Sequence, residues 1–389
     1  MIGVGCGEGT AKVSKDERGW IMSKTVKLLI ITALIVWVPA APIGAQRLAV
    51  NTPGKPTVPA PTKAVGKRSS DRFEETTDKS RKASIKGVKW LLRTMNRDGG
   101  CGVDIGQPSD IGVTAIVGLA LMSRGNTVRE GQHSREVRKI QNYLLKQVSR
   151  MRGNNITRQT GTQLQRKIGQ QAHTFFAALF LSQVVGEDWS NTRARQGLAK
   201  LAKAISGSQG PDGSWGAGSW APMLGTVMGW VSLRGAYSAG FKVGGSADKT
   251  ANHLISQMGS VKNRGSWMHT LYKNATGVRV LYAMQRQDDA ACKAALAAVL
   301  KLVTSSNQAF NQAGGEEFLA FHLITETMLQ TGGSQWKQWY PVVRDKLCGV
   351  QNADGSWTGH HCITSRTFCT AAAVLVLDSP NRMLPISQE

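Results

Sequence analysis

Acidic side chains are scarce in this chain: 25 Asp and Glu stand against 48 Lys and Arg, leaving a formal net charge of +23 and a pI near 10.1. That imbalance excludes an acidic surface and favours long-range attraction to anionic ones, such as phospholipid headgroups, acidic polysaccharide or stray nucleic acid. The basic residues are spread over helical patterns rather than clustered with aromatics, so no specific nucleic-acid recognition is expected. Also missing is an apolar run of the ~20 residues that a membrane-spanning helix needs. The run Leu28–Val38 is shorter; it follows Lys24 and Lys27 and precedes PAAPIGAQ, which is the charged, apolar, small-residue order of a secretory signal. Residues 1–45 are therefore expected to be an extension plus a signal cleaved after Ala45. The protein is exported to the periplasm or cell envelope on this reading, with an uncleaved membrane anchor as the alternative and Met22 favoured over Met1 as the true start. Residues 46–80, rich in Pro, Lys, Ser and Thr with few large apolar side chains, are expected to form a flexible tether. Cysteine is sparse. Cys6 precedes the signal, and the remaining five (Cys101, Cys292, Cys348, Cys362, Cys369) are an odd number, so either disulfides or buried free thiols are open to an exported chain.

What the chain does have is a repeated turn. QGPDGSWG at 209–216 and QNADGSWT at 351–358 share Gln-x3-Gly-x-Trp around an Asp-Gly step. Gly213 and Gly355 supply the positive φ that reverses a chain leaving a helix, and the Trp two residues later packs back. A degraded third copy is KGVKWLLRTMNRDGGCG, with Met95 in place of the Gln and Cys101 in place of the Trp. Apolar periodicity then gives six helix pairs: 81–95 with 110–123, 134–151 with 170–185, 191–208 with 222–239, 248–259 with 271–286, 288–304 with 315–330, and 335–350 with 365–377. The second helix of each pair is apolar nearly all round (IGVTAIVGLAL, TFFAALFL, TAAAVLVL) and is expected to be inner; the first mixes Lys, Arg and Gln with one apolar stripe and is expected to be outer. With 41% hydrophobic residues, 81–380 is enough for one all-α domain, followed by a tail at 381–389.

The repeated Gln-Trp turn over residues 81–380 resembles the terpenoid-cyclase and protein-prenyltransferase superfamily, including its squalene-cyclase C-terminal-like repeat proteins. The resemblance implies an (α/α)6 toroid of six hairpins. In such a ring the first repeat adjoins the last, which makes Cys101–Cys362 one conceivable disulfide and Cys348–Cys369 another. The superfamily's chemistry does not carry over. Its squalene-type cyclases hold their acid in Asp-x-Asp-Asp-Thr-Ala; here DIGVTA places Asp110 first but Gly112 and Val113 at the other acidic positions. A single Asp opening a helix is a cap, held ionised by the helix N-terminus. Its prenyltransferases bind zinc through Asp, Cys and His, and the nearest match, His360, His361 and Cys362, sits on one loop without the Asp-x-Cys pair. The thioester domains' element is approached by GCGEG at 5–9, where Gly9 has no amide to close on Cys6.

No metal or other cofactor is therefore expected. What remains is the mouth where inner-helix N-termini meet long loops. Candidate ligand contacts there are Asp104, His173, Trp220, His269, Tyr272 and Arg366. The weak catalytic candidates are Asp110, Glu317 and His322. Glu317 and His322 are five residues apart, about 500° of helical rotation, so they diverge by about 140°. The leading expectation is a non-catalytic toroid that binds an apolar ligand or an envelope protein. The alternative is an enzyme of the same fold, either terpenoid cyclase- or transferase-like or a lyase acting on acidic polysaccharide.

Overall fold

The computed structural model describes residues 75–243, 247–260, 270–305 and 307–388, all within the compact unit Arg68–Glu389. The expected signal, nearly all of the expected tether, and His269 and Trp267 lie outside these residues. The protein is all-α. In chain order the helices are α1 (Asp78–Leu92), α2 (Ile111–Met122), α3 (Ser134–Ser149), α4 (Gln163–Ile168), α5 (Ala172–Glu187), α6 (Thr192–Gly207) and α7 (Pro222–Ser238). They continue with α8 (Ala247–Ser260), a π-helical turn (Thr270–Ala275) that leads into α9 (Thr276–Ala283), α10 (Ala290–Ser305), α11 (Gln308–Asn311), α12 (Gly315–Thr331), α13 (Gly333–Gly349) and α14 (Arg366–Asp378). The described β-structure is slight, chiefly one antiparallel pair, Cys101–Gly102 with Ser109–Asp110.

Sequence explains which helices are buried. All of α2, IGVTAIVGLALM, is buried and none of it is charged. By contrast α3, SREVRKIQNYLLKQVS, buries only the stripe Val137, Ile140, Gln141, Tyr143, Leu144, Leu145 and Val148. The buried helices pair in sequence: α5 packs against α2 and α7, α9 against α7 and α12, and α14 against both α12 and α2. Amphipathic helices cover them, α3 over α2, α6 over α5 and α7, α8 over α7 and α9, α13 over α12, and α1 over α14.

The three turn copies are wired alike. Trp215 and Trp357 each donate the indole N–H to a carbonyl of the preceding helix, Ile205 and Leu347, both at 2.9 Å. Their backbone N–H groups donate to Thr226 and Thr370 hydroxyls one helix on, and in the degraded copy Cys101 N–H donates to Thr114 at 2.8 Å. Gly99, Gly213 and Gly355 all have φ near +90° (87°, 87° and 94°), and a Cβ on each would strike the backbone of Lys139, Lys249 or Lys86 within 2.8 Å. Each turn thus seats on the next amphipathic helix, and the last seats on α1. Gln351 makes the same connection, donating to Gly355 and to Ala83 of α1, both at 2.9 Å.

The five cysteines among the described residues are free, which corrects both conceivable disulfides. Burial pushes Cys101 up to about 12 and raises Cys369 well above the ordinary thiol value, so these thiols behave as small apolar side chains. The described part of the expected tail, 381–388, packs back on the helices. A 3₁₀ turn at Pro385–Ser387 buries Leu384, Ile386 and Ser387 against α5 and α12. Among the described residues no helix is long and apolar enough to cross a membrane.

Candidate functional site

A cleft of about 500 Å³ opens where α2, α4 and α14 begin, lined by Asp104, Asp110, Gln163, Arg166, Thr364 and Arg366 among others. Three of the residues expected at the mouth, Asp104, Asp110 and Arg366, therefore meet in one concavity. Arg366 is held from behind: it bonds Asp354 and Ser356 of the Trp357 turn, lies 4.9 Å from the Trp90 ring centre, and reaches Asp104 at 3.6 Å. Asp110 caps α2, accepting the Val113 N–H at 2.9 Å, and sits 3.1 Å from His173 Nε2. Burial alone would raise the Asp110 carboxyl; the His173 contact and the N–H groups of Val113 and Gly112 outweigh it and hold it below the usual carboxylate range. An ionised cap cannot serve as a strong acid. Trp220 is 60% exposed, with the Arg166 guanidinium 6.0 Å from its ring centre.

Beside the cleft lies a buried polar cluster. Lys167, at the end of the six-residue α4, places its ammonium 2.9 Å from Glu316 Oε1, 3.5 Å from Cys362 Sγ and 4.1 Å from the centre of the Tyr272 ring. Lys167 is 3% exposed and Glu316 fully buried, so each needs the other. Glu316 also accepts the Ile363 N–H at 3.2 Å, and Glu317 accepts the Gly314 N–H at 2.7 Å as the reciprocal cap of α12. His361 bridges the two carboxylates, with Nδ1 3.2 Å from Glu316 and Nε2 3.2 Å from Glu317. Burial, then the adjacent Glu316 charge, raises the Glu317 carboxyl far above its ordinary value, so one proton is held in this pair. For Lys167 burial lowers the ammonium's value, but Glu316 more than restores it and Lys167 stays charged. Burial, then Glu316, raises the Cys362 thiol, so it is not an activated nucleophile. Glu316, His361 and Cys362 offer ligand atoms within 4.8 Å of one another. They are the described residues best placed to hold a metal ion, but Lys167 already stands among those atoms as a built-in cation.

His322 lies elsewhere. It joins Arg279 and Glu326 around a cavity of about 20 Å³ walled by α2, α5, α7, α9, α12 and α14. Burial lowers its imidazole's value, keeping it neutral, and Nδ1 has no partner. The partner of Glu317 is thus His361, not His322. Phe176 of α5 meets Phe368 of α14 edge-on at 5.5 Å. Little space is left at the centre where these helices meet, while a polar concavity of about 380 Å³ opens at the ends of α7, α9 and α12. Lys167 had no sequence signal, because QLQRKI (163–168) falls between the helical patterns 134–151 and 170–185; His361 was legible only as a loop residue. Compared with family models, with curated proteins and with solved structures, the chain matches none.

Proposed function

We propose that the protein is an exported (α/α)6 toroid of the terpenoid-cyclase and prenyltransferase kind, retained as a non-catalytic module that binds a protein partner through the cleft of Asp104, Asp110, Arg166 and Arg366. Three features support the ring: the succession of buried pairings from α2 round to α14 and back, the seating of the Gly355 turn on α1, and the Gln351 bond to Ala83. The observation that carries the binding reading is the contrast in room. The central cavity where the buried helices meet is about 20 Å³, far too small for an isoprenoid, whereas the charged cleft is about 500 Å³. Two Asp and two Arg at its walls match a polypeptide's charged and amide groups better than a hydrocarbon. The basic outer helices hold the module near the anionic envelope. The test is site-specific photocrosslinking from Gln163 in the producing cell. A discrete adduct of polypeptide mass, lost in Arg366→Ala, is expected; an adduct of lipid mass, or none, overturns the reading.

A second reading rests on the Glu317–His361 pair, a protonated buried carboxyl beside an imidazole. It is an acid–base lyase acting on acidic polysaccharide. Formation of an unsaturated uronate product by the wild-type chain, abolished in Glu317→Gln, would establish it and displace the binding reading. A cyclase- or transferase-like activity is the weakest alternative, since Asp110 is an ionised cap.

A further inference from the structure

Toward the C-terminal ends of α5 and α12 the apolar walls carry three polar side chains that face one short segment. Gln183 of α5 is 1% exposed and accepts the Ile386 N–H at 3.0 Å. Gln330 of α12 donates to the Ile386 carbonyl at 3.1 Å. Glu326, one turn earlier on α12, accepts the Ser387 hydroxyl at 2.8 Å. The buried Ile386 side chain meanwhile forms one wall of the small central cavity, facing Ile116, Leu119, Phe176, Met228 and Leu323 as well as Arg279 and His322.

Polar groups on an apolar wall are costly unless met, and a hydrocarbon would take from Gln183 and Glu326 the bonds to this segment and leave Gln330 only its bond from Arg279. A peptide meets them. Two amides gripping the N–H and the C=O of one residue read main chain irrespective of sequence, the cavity reads an aliphatic side chain, and the carboxylate reads a hydroxyl after it. Segment 384–388 lies outside every α-helix and is joined to α14 by a 3₁₀ turn, Ser379–Asn381, and a left-handed Arg382 (φ 49°). It is held as a ligand is held.

We propose that the floor between α5 and α12 is a peptide-recognition site for an aliphatic residue followed by a hydroxyl residue, and that segment 384–388 of the chain is its resident occupant. The site is independent of the charged cleft. Covalent tethering gives the resident a high effective concentration, so an added peptide competes poorly until the resident is weakened.

The test uses the full chain and a fluorescent peptide, NRMLPISQ, of residues 381–388. Ile386→Asp in the chain weakens the resident, since it removes the buried aliphatic side chain that packs on the largely apolar wall of Ile116, Leu119, Phe176 and Leu323. The variant is expected to bind the peptide saturably in fluorescence anisotropy while the wild-type chain does not at the same concentration. The same peptide carrying Ile386→Asp is expected to bind at least about tenfold more weakly, the loss of one buried aliphatic side chain. A variant that keeps its helical circular dichroism but ignores the peptide overturns the proposal, as does unchanged binding after Gln183→Ala and Gln330→Ala are combined with it. Should Ile386→Asp fail to fold, amide exchange in the unaltered chain decides. Exchange of the Ile386 N–H well ahead of the α12 interior marks a releasable occupant, and exchange together with α12 marks fixed core and overturns the site.

Discussion

The two ends of α12 solve the same problem differently. At its start, Glu316 and Glu317 are buried with Lys167 and His361, and an open charged cleft lies alongside. Toward its end, Glu326 accepts the Ser387 hydroxyl, Gln330 links the Ile386 carbonyl to the buried Arg279 guanidinium, and the adjoining central cavity is only about 20 Å³. Charge buried in a core must be matched by charge, and the matching residues come from α4, the loop before α14 and the π-helical turn. At the second end the amides of Gln183 and Gln330 are met by main chain and, for Gln330, by Arg279 as well. The first end borders a cleft of about 500 Å³ lined by charged groups, and the second a concavity of about 380 Å³ that Gln330 and Arg279 line.

Removing a charge at the first end should have the largest effect. Lys167→Met leaves Glu316 buried without its cation and is expected to cost about 3–5 kcal/mol in urea unfolding, with much of that restored by adding Glu316→Gln. If the single variant is nearly neutral, the pairing is not what holds the cluster. At the second end, Ile386→Ala should cost about 2 kcal/mol, the lower range for a buried aliphatic truncation, because only one short segment relaxes. A cost equal to that of Lys167→Met would erase the distinction between the ends. Gly355→Ala, away from both ends, should cost about 1–2 kcal/mol from positive φ, plus displacement of Lys86, with Gly213→Ala similar if the turns are true repeats.

A further effect is a pH dependence at the first end. Because the Glu317 carboxyl is raised in the folded state, the fold binds its proton more tightly than the unfolded chain does. The stability this gives is complete below the ordinary value of 4.5 and is lost as pH rises through the raised one. Glu317→Gln still accepts the Gly314 N–H but does not titrate. Its stability relative to wild type should therefore grow as pH rises above 4.5. A difference that is flat with pH would mean that Glu317 is ionised in the fold.

Much of the helical frame was legible because the determinants are local. IGVTAIVGLALM declares a buried helix by its composition, and Gly213 and Gly355 declare their turns by the conformation that only glycine takes readily. The π-helical turn before α9, the short α4 and the packing of 384–388 carry no such period. The polar cluster was invisible for a different reason. Lys167, Tyr272, Glu316 and His361 come from four separated stretches, and only tertiary packing turns an ordinary lysine in a loop-like hexapeptide into the counter-ion of a buried cap. His322 and Glu317 share one helix yet have different surroundings, as five-residue spacing requires.

Native mass spectrometry of the full chain, purified from the producing cell without detergent exchange, bears directly on the filled interior. A polypeptide with no stoichiometric adduct of lipid size is the expected result. A one-to-one hydrocarbon adduct that survives desolvation would mean that the space between the buried helices opens to a ligand, and would contradict binding through the cleft alone.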